Sequence, residues 1–167
     1  MKGHLPMQII FAVFRFQKSF KTEDAPILTR IAGLSVITLP HDHPTLKVED
    51  GVLFNKEMTE LICFPNDLSM IEYTVPDSVI SIADEAFRNN DHLQKIILPE
   101  NLKSIGNYAF YSMYSLKSIN IPDSVTSIGY SAFGFCSGLK EITIPDGVTE
   151  IEELAFGNCR GMRYLLL

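Results

Sequence analysis

Residues Ile121–Ile142, IPDSVTSIGYSAFGFCSGLKEI, contain almost all of a unit that recurs every 23 positions in the second half of the chain. Aligned on its proline, the unit reads L-x-x-I-x-I-P-D-S-V-x-x-I-G-x-x-A-F-x-x-C-x-x. Its most regular members are the prolines Pro76, Pro99, Pro122 and Pro145, the phenylalanines Phe87, Phe110, Phe133 and Phe156, and the isoleucines Ile82, Ile105, Ile128 and Ile151. A fixed period of this length is typical of a solenoid, in which each repeat covers the apolar face of its neighbour.

The order of residue types within the unit predicts the path of one coil. L-x-x-I-x-I alternates as a short strand does, and proline ends that strand because it cannot donate to a ladder. V-x-x-I returns apolar side chains to the core, Gly106 and Gly129 relieve a tight corner, and Ala-Phe closes the coil in a short helical or 3₁₀ turn. We expect parallel β ladders with one open concave sheet and a buried phenylalanine ladder.

The repeat in Ile121–Ile142 resembles the BspA-like, or Treponema-type, leucine-rich repeat family, and Gly51–Pro65 resembles a hairpin unit that often precedes such repeats. The resemblance covers residues 34–167. It implies a mainly β leucine-rich-repeat solenoid with one inserted hairpin. It also implies a role like that of bacterial and protist cell-surface proteins, several of which are adhesins that bind host proteins or other microbes.

We divide the chain into residues 1–33, a degenerate N-terminal segment or cap, and residues 34–167, the solenoid. Within the solenoid, 34–72 is a hairpin-containing repeat and 73–167 holds the regular repeats. The hairpin is predicted to pair Gly51–Phe54 with Glu60–Phe64 around the turn Asn55–Thr59. Phe14-Arg15-Phe16 falls 23 positions before Ile37-Thr38-Leu39, which fits a degenerate capping repeat.

Composition narrows the class of partner. The net charge is −6, which argues against nucleic acid because phosphate binding needs a basic face. No run reaches the roughly 20 apolar residues of a membrane span. Met7–Phe14 is apolar like a short signal sequence, but Arg15 interrupts it and no small-residue cleavage site follows. We interpret it as a strand, so secretion and a cytoplasmic location both stay open.

Residues that could carry chemistry have simpler structural explanations. The sequence has no nucleophile elbow, phosphate loop or HExxH motif, so we expect neither an enzyme nor a cofactor. Cys136 and Cys159 occupy one inward repeat position and Cys63 stands apart, so we expect free buried thiols. The run His41-Asp42-His43 is interpreted as a polar turn before Pro44 rather than half of a metal site.

Three outward columns on the predicted sheet are the candidate surface for a partner. The first carries Ile71, Gln94, Lys117, Lys140 and Arg163, the second carries Glu72, Lys95, Ser118, Glu141 and Tyr164, and the third carries Thr74, Ile97, Asn120, Thr143 and Leu166. Stacked cations repel one another unless Glu141 or an acidic partner offsets them. The candidate partner-binding strip is therefore Lys95, Lys117, Lys140, Glu141, Arg163 and Tyr164, although a mixed, solvated sheet is the simpler interpretation.

Met162–Leu167 is the strand of a further repeat with no polar cap after it, which suggests either a fragment or self-association through this coil. We expect a non-catalytic protein-binding or adhesion module of a surface or secreted protein. The alternative is a structural scaffold or spacer within a larger protein, which could be intracellular.

Overall fold

The computed structural model describes residues 12–15 and 20–167. The first elements are β1 (Ala12–Arg15), a 3₁₀ turn (Thr22–Asp24), α1 (Pro26–Thr29) and β2 (Leu34–Thr38). Strands β1 and β2 run parallel, with Phe14 opposite Ile37 and Arg15 opposite Thr38. This register has the 23-residue offset of the repeats. The rest of the apolar N-terminal stretch, with Phe16, lies outside the described residues.

The hairpin unit follows β2 and is larger than predicted. Its strands are β3 (Leu46–Glu49), β4 (Val52–Asn55) and β5 (Glu60–Cys63), and both neighbouring pairs are antiparallel. The Asn55 carboxamide organises the turn, because its Oδ1 accepts from Thr59 N at 2.8 Å and Glu60 N at 2.9 Å. The predicted β4–β5 hairpin is therefore present, and β3 is an additional strand.

The regular repeats contribute two strands per coil instead of one. One column of parallel strands contains β6 (Glu72–Thr74), β8 (Lys95–Ile97), β10 (Ser118–Ile119), β12 (Glu141–Thr143) and β14 (Tyr164–Leu166), paired in the orders β6–β8–β10 and β12–β14. The other contains β7 (Ser81–Ile82), β9 (Ser104–Ile105), β11 (Ser127–Ile128) and β13 (Glu150–Ile151), and it continues through β5 into the hairpin. We call these the first and second ladder. The prediction of a single open sheet was wrong, because the V-x-x-I segments also pair with one another.

Phenylalanine rings form a continuous stack through the coils. Successive rings from Phe64 to Phe156 stand 5.2, 5.1, 5.0 and 5.3 Å apart between centroids, with small interplanar angles. The predicted four-ring stack is confirmed, although Phe156 is only partly buried, and Phe64 of the hairpin unit extends the stack by one. The buried rings lie in the main core with inward isoleucines of both ladders, and Phe156 packs against that core.

The hairpin separates this main core from a smaller one. Val52, Phe54 and Leu61 pack in the main core, whereas Leu53 and Ile62 pack with residues of α1 and β2 in the second. Both faces of β4 and β5 are therefore buried. This explains why their residues form apolar runs rather than the alternating pattern of a half-exposed strand.

The corners that carry Ala-Phe are not helical. Residues 73–167 contain turns at these corners but no helix, contrary to the predicted helical or 3₁₀ turn. Each corner instead has left-handed residues two positions before and two positions after its phenylalanine: Glu85, Asn89, Tyr108, Ser112, Ser131, Phe135, Leu154 and Asn158. A left-handed residue reverses the chain, and two per corner keep it from continuing as a helix.

Glycine is required where neighbouring coils approach most closely. A Cβ at Gly106 would lie 2.7 Å from Asp84 N, and one at Gly129 would lie 2.7 Å from Asn107 N. Real Cβ atoms do not approach backbone so closely, so the predicted tight corner at both glycines is confirmed.

The inward residues three positions after Phe133 and Phe156, which are both cysteines, join adjacent coils by hydrogen bonds. Cys136 Sγ donates to Phe110 O at 3.0 Å, and Cys159 Sγ donates to Phe133 O at 2.9 Å. The thiols of Cys63, Cys136 and Cys159 are free, as predicted, with Cys159 only partly buried. Burial raises the pKa of the Cys63 thiol to about 12, so it is unreactive near neutral pH.

Candidate partner-binding surface

The predicted strip lies on the outward face of the first ladder. All six of its side chains are exposed, and Tyr164 is 61% exposed. The strand register places Lys95 opposite Ser118 and Glu141 opposite Tyr164. Arg163 N donates to Lys140 O at 2.7 Å, so these two residues belong to adjacent coils. The arrangement expected from the 23-residue spacing is therefore present, while its role stays a prediction.

The cations of the strip fall into two groups by their contacts. Lys95 Nζ lies 2.7 Å from Glu72 Oε1, and Lys117 Nζ donates to Gln94 Oε1 at 2.7 Å. Among the described residues, the structure gives Lys140 and Arg163 no side-chain partner. The free positive charge of the strip is therefore concentrated at β12 and β14, beside the exposed ring of Tyr164.

The first ladder is interrupted in the middle of this strip. Strands β6, β8 and β10 form one sheet, and β12 and β14 form another. The space between β10 and β12 is an open cleft of about 330 Å³ lined by residues from 117–121 and 141–143. Lys117 and Lys140 therefore stand on opposite sides of a break in the sheet. Sequence reasoning did not predict this break.

A second surface feature, which sequence reasoning missed, is an aromatic cluster at the Ala-Phe corners. The Tyr108 ring meets those of Tyr111 and Tyr130 edge-on at 5.4 and 5.3 Å, and Tyr111 meets Phe135 at 5.3 Å. The Arg88 guanidinium lies 4.9 Å from the Tyr111 ring centroid. These aromatics occupy different positions of the repeat, so the 23-residue spacing gave no indication that they meet.

The N-terminal unit is attached to the repeats through a buried carboxylate. Glu85 is only 6% exposed. It accepts hydrogen bonds from Arg30, from Thr29 Oγ1 at 3.2 Å and from Arg88 Nη1 at 3.2 Å. Burial raises the pKa of Glu85, but the hydrogen bonds and charges of its partners outweigh that effect and lower it below its ordinary value. Glu85 therefore stays ionised at neutral pH.

The two histidines considered as metal ligands lie in a turn, as predicted. His43 N donates to Pro40 O at 3.2 Å. His41 is exposed, whereas His43 is buried and its Nδ1 accepts from Leu46 N at 3.1 Å. The two imidazoles thus have different environments. The described residues contain no group of three or more metal-ligating side chains.

The two parallel ladders and the stacked phenylalanines define a leucine-rich-repeat solenoid. Residues 58–167 match the BspA type leucine rich repeat region, in six copies. This match spans more than half of the chain, so the chain belongs to the BspA-type leucine-rich repeat family. A search of curated proteins finds no match to the sequence.

Solved structures of bacterial repeat proteins share the fold. The pneumococcal vaccine antigen PcpA is similar at 30% identity with a TM-score of 0.77, over 79% of this chain and 33% of its own. A leucine rich cell surface protein from Faecalibacterium prausnitzii is similar at 26% identity with a TM-score of 0.72, over 80% of this chain and 42% of its own. The Treponema pallidum leucine rich repeat protein is similar at 32% identity with a TM-score of 0.58, over 60% of this chain and 47% of its own.

These similarities cover much less than the whole of each relative. The chain spans about a third of PcpA and about two fifths of the Faecalibacterium protein. No helix in the described part of the chain has the length and hydrophobicity that crossing a membrane requires.

Proposed function

We propose that this chain is a non-catalytic protein-binding module whose partner docks on the outward face of the first ladder. The observation that carries the proposal is the exposed group formed by Lys140, Arg163 and Tyr164. Two cations without side-chain partners in the described structure lie beside an exposed aromatic on a rigid backbone. Arginine and tyrosine are enriched among the residues that dominate protein interfaces.

The positive charge of Lys140 and Arg163 indicates the chemistry of the partner. A partner with acidic groups would neutralise cations that the sheet itself leaves unpaired, so its association should be accelerated by charge and weakened by salt. Glu141 makes the strip mixed rather than uniformly basic, which favours a protein surface over a polyanion.

We further propose that the module acts at a cell surface or as part of a secreted protein. The similarity to a vaccine antigen and to a cell surface protein supports this location. The second candidate is a scaffold or spacer, possible also inside the cell. The pairing of Lys95 with Glu72 and of Lys117 with Gln94 favours it, because those cations are already satisfied within the sheet.

Lysine footprinting tests the proposal. The chain is used to capture proteins from extracellular-matrix extract and from cell lysate, and an amine-specific label then measures the reactivity of each lysine with and without a captured protein. We expect Lys140 to be protected and Lys103, which lies beside the second ladder, to stay reactive. Protection of Lys103 alone would place the interface elsewhere, and failure to capture any protein would favour the scaffold.

We also propose β14 as the strand through which two copies of this chain would associate. Its residues Tyr164, Leu165 and Leu166 are 61%, 47% and 49% exposed. Light scattering of the chain at increasing concentration distinguishes pairing of two copies from binding of another protein. A rise in molar mass that Tyr164→Ser abolishes would assign this strand to self-association.

A further inference from the structure

The break in the first ladder is a local loss of backbone hydrogen bonds. At other junctions Gln94 N donates to Ile71 O and Lys117 N donates to Gln94 O, both at 2.8 Å. The equivalent bond from Lys140 N to Lys117 O is absent, and neither atom of that pair has another partner across this junction in the described chain. The equivalent bond from Ile121 N to Thr143 O is missing as well, whereas Ile144 N donates to Leu166 O at 2.8 Å in the next coil.

The two coils on either side of the break remain stacked everywhere else. In the second ladder, Ser127 pairs with both Ser104 and Glu150. At the two ends of the break the backbones touch, because a Cβ on Gly138 would lie 2.5 Å from Tyr114 O and one on Gly147 would overlap Asp123 O. The opening is therefore a closed-ended slot, too confined to admit a whole additional strand.

The slot exposes part of the core and a set of polar backbone atoms. Ile119 at its floor is 8% exposed, compared with 1% for the equivalent Ile96 and 2% for Ile142. Ile121 is 9% exposed, compared with 2% for the equivalent Leu98 and 5% for Ile144. The unpaired backbone atoms at the slot are two donors, Lys140 N and Ile121 N, and two acceptors, Lys117 O and Thr143 O. A ligand that satisfies them therefore needs both an acceptor and a donor.

Elsewhere in this protein, carboxamide side chains fulfil that requirement. Asn120 Oδ1 accepts from Leu98 N at 3.1 Å while its Nδ2 donates to Leu98 O at 3.4 Å. Asn90 accepts from Leu93 N at 2.9 Å and donates to Pro65 O at 3.2 Å. Asn66 accepts from Leu34 N at 3.1 Å and donates to Ile31 O at 2.9 Å. Each of these carboxamides accepts from a backbone N–H and donates to a backbone carbonyl.

We propose that the slot between β10 and β12 receives an asparagine or glutamine side chain from the protein partner. This inference rests on the proposed function, because it names how a partner on the first ladder would be recognised. A carboxylate would be attracted by Lys117 and Lys140, but it only accepts hydrogen bonds and would leave Lys117 O and Thr143 O unpaired. An ammonium group only donates and would leave Lys140 N and Ile121 N unpaired. A carboxamide is neutral and supplies both an acceptor and a donor.

Ser118 and Thr143 line the slot from β10 and β12, and both are exposed. Ser118→Trp or Thr143→Trp should therefore fill the slot from its rim with a bulky side chain.

A phage library of random dodecapeptides, selected against the full chain, tests the inference. Peptides that bind wild type but lose about tenfold or more of their affinity for Ser118→Trp or Thr143→Trp are slot-dependent. We expect these to share asparagine or glutamine at one position. Changing it to glutamate or methionine should weaken binding by about tenfold, the scale of one desolvated hydrogen-bonding group left unpaired.

Hydrogen exchange supplies the second readout. The amides of Lys140 and Ile121 should exchange at least about tenfold more slowly when a slot-dependent peptide is bound. Either slot-filling variant is enough to classify a peptide as slot-dependent, provided that its unfolding transition matches that of wild type. Slot-dependent peptides without a shared carboxamide, or the absence of any slot-dependent peptide, would overturn the inference. Peptides that lose binding only to a Lys140→Ser, Arg163→Ser variant would refute the slot while leaving the proposed function standing.

Discussion

Arg30 and Glu85, which are 55 residues apart in the chain, form a two-bond ion pair in which the Arg30 Nη2–Glu85 Oε1 distance is 2.6 Å and the Nε–Oε2 distance is 3.2 Å. Glu85 occupies a left-handed corner position, and in the other coils tyrosine, serine and leucine stand there. The carboxylate is therefore specific to the coil that receives the N-terminal unit. The ion pair joins that unit to the first regular repeat.

Glu85→Gln should destabilise the protein by about 1–3 kcal/mol at neutral pH, because the arginines lose a buried anionic acceptor. A carboxyl with a lowered pKa stabilises the fold above its unfolded value of about 4.3, and that stabilisation is lost as the pH falls through the folded value. The difference between wild type and variant should thus be constant from pH 7 to about 5 and shrink below about 4.

Urea unfolding across this pH range provides the measurement. Glu72→Gln is the matched control, because Glu72 pairs with Lys95 at the exposed face. This substitution should change the free energy of unfolding by less than about 0.5 kcal/mol. A Glu85→Gln effect that does not change with pH would show that the carboxylate charge is unimportant.

Phe133→Ala should lower the free energy of unfolding by about 3–5 kcal/mol, because it removes a ring with stacked neighbours on both sides and leaves a cavity. Lys117→Ala, on the exposed face of the same coil, should cost less than about 0.5 kcal/mol. Thermal unfolding of the two variants compares them directly. Equal, small losses would mean that the phenylalanines do not form the core.

Gly129→Ala should destabilise the protein by about 1–3 kcal/mol, because the added methyl group would lie 2.7 Å from the backbone of the preceding coil. Thr126→Ala, three residues earlier at the exposed position just before β11, is the control and should have little effect. Denaturant midpoints of both variants check this prediction. A neutral Gly129→Ala would show that the coils can separate at this corner without cost.

Leu154→Asn should stabilise the protein by about 0.5–1 kcal/mol. Leu154 has a φ of +56° and is 51% exposed, so leucine bears the left-handed strain while burying little surface. Glu153→Asn, at the adjacent exposed position, should bring no gain. A melting temperature that falls for Leu154→Asn would indicate that the leucine side chain packs more tightly than its exposure implies.

Much of this fold could be predicted because the 23-residue spacing repeats the same physical requirements in each coil. Phenylalanine, proline and glycine recur at fixed positions, and the ring stack and tight corners follow directly. The second ladder was missed because its strands are two residues long, too short to show an alternating pattern. The left-handed corners were missed because ordinary side chains, not glycines, occupy them.

The candidate surface could be predicted only as a set of exposed side chains. Their columns follow from the spacing, but hydrogen bonds such as that of Lys117 to Gln94 depend on side-chain conformation. The slot depends on backbone hydrogen bonds that are missing between β10 and β12, and no residue type in the repeat indicates their absence. The tyrosine cluster joins non-equivalent repeat positions. Features that depart from the repeat cannot be predicted from its 23-residue period.

The most direct test of the account is the affinity of a captured partner for Lys117→Ser, Lys140→Ser, Arg163→Ser, compared with wild type at low and at physiological ionic strength. The control is Lys21→Ser, Lys47→Ser, Lys103→Ser, which removes the same charge away from the strip. We predict that the strip variant binds at least about tenfold more weakly at low salt, with a reduced salt dependence, and that the control binds almost normally. Wild-type affinity of the strip variant at low salt would contradict the assignment of this face as the binding surface.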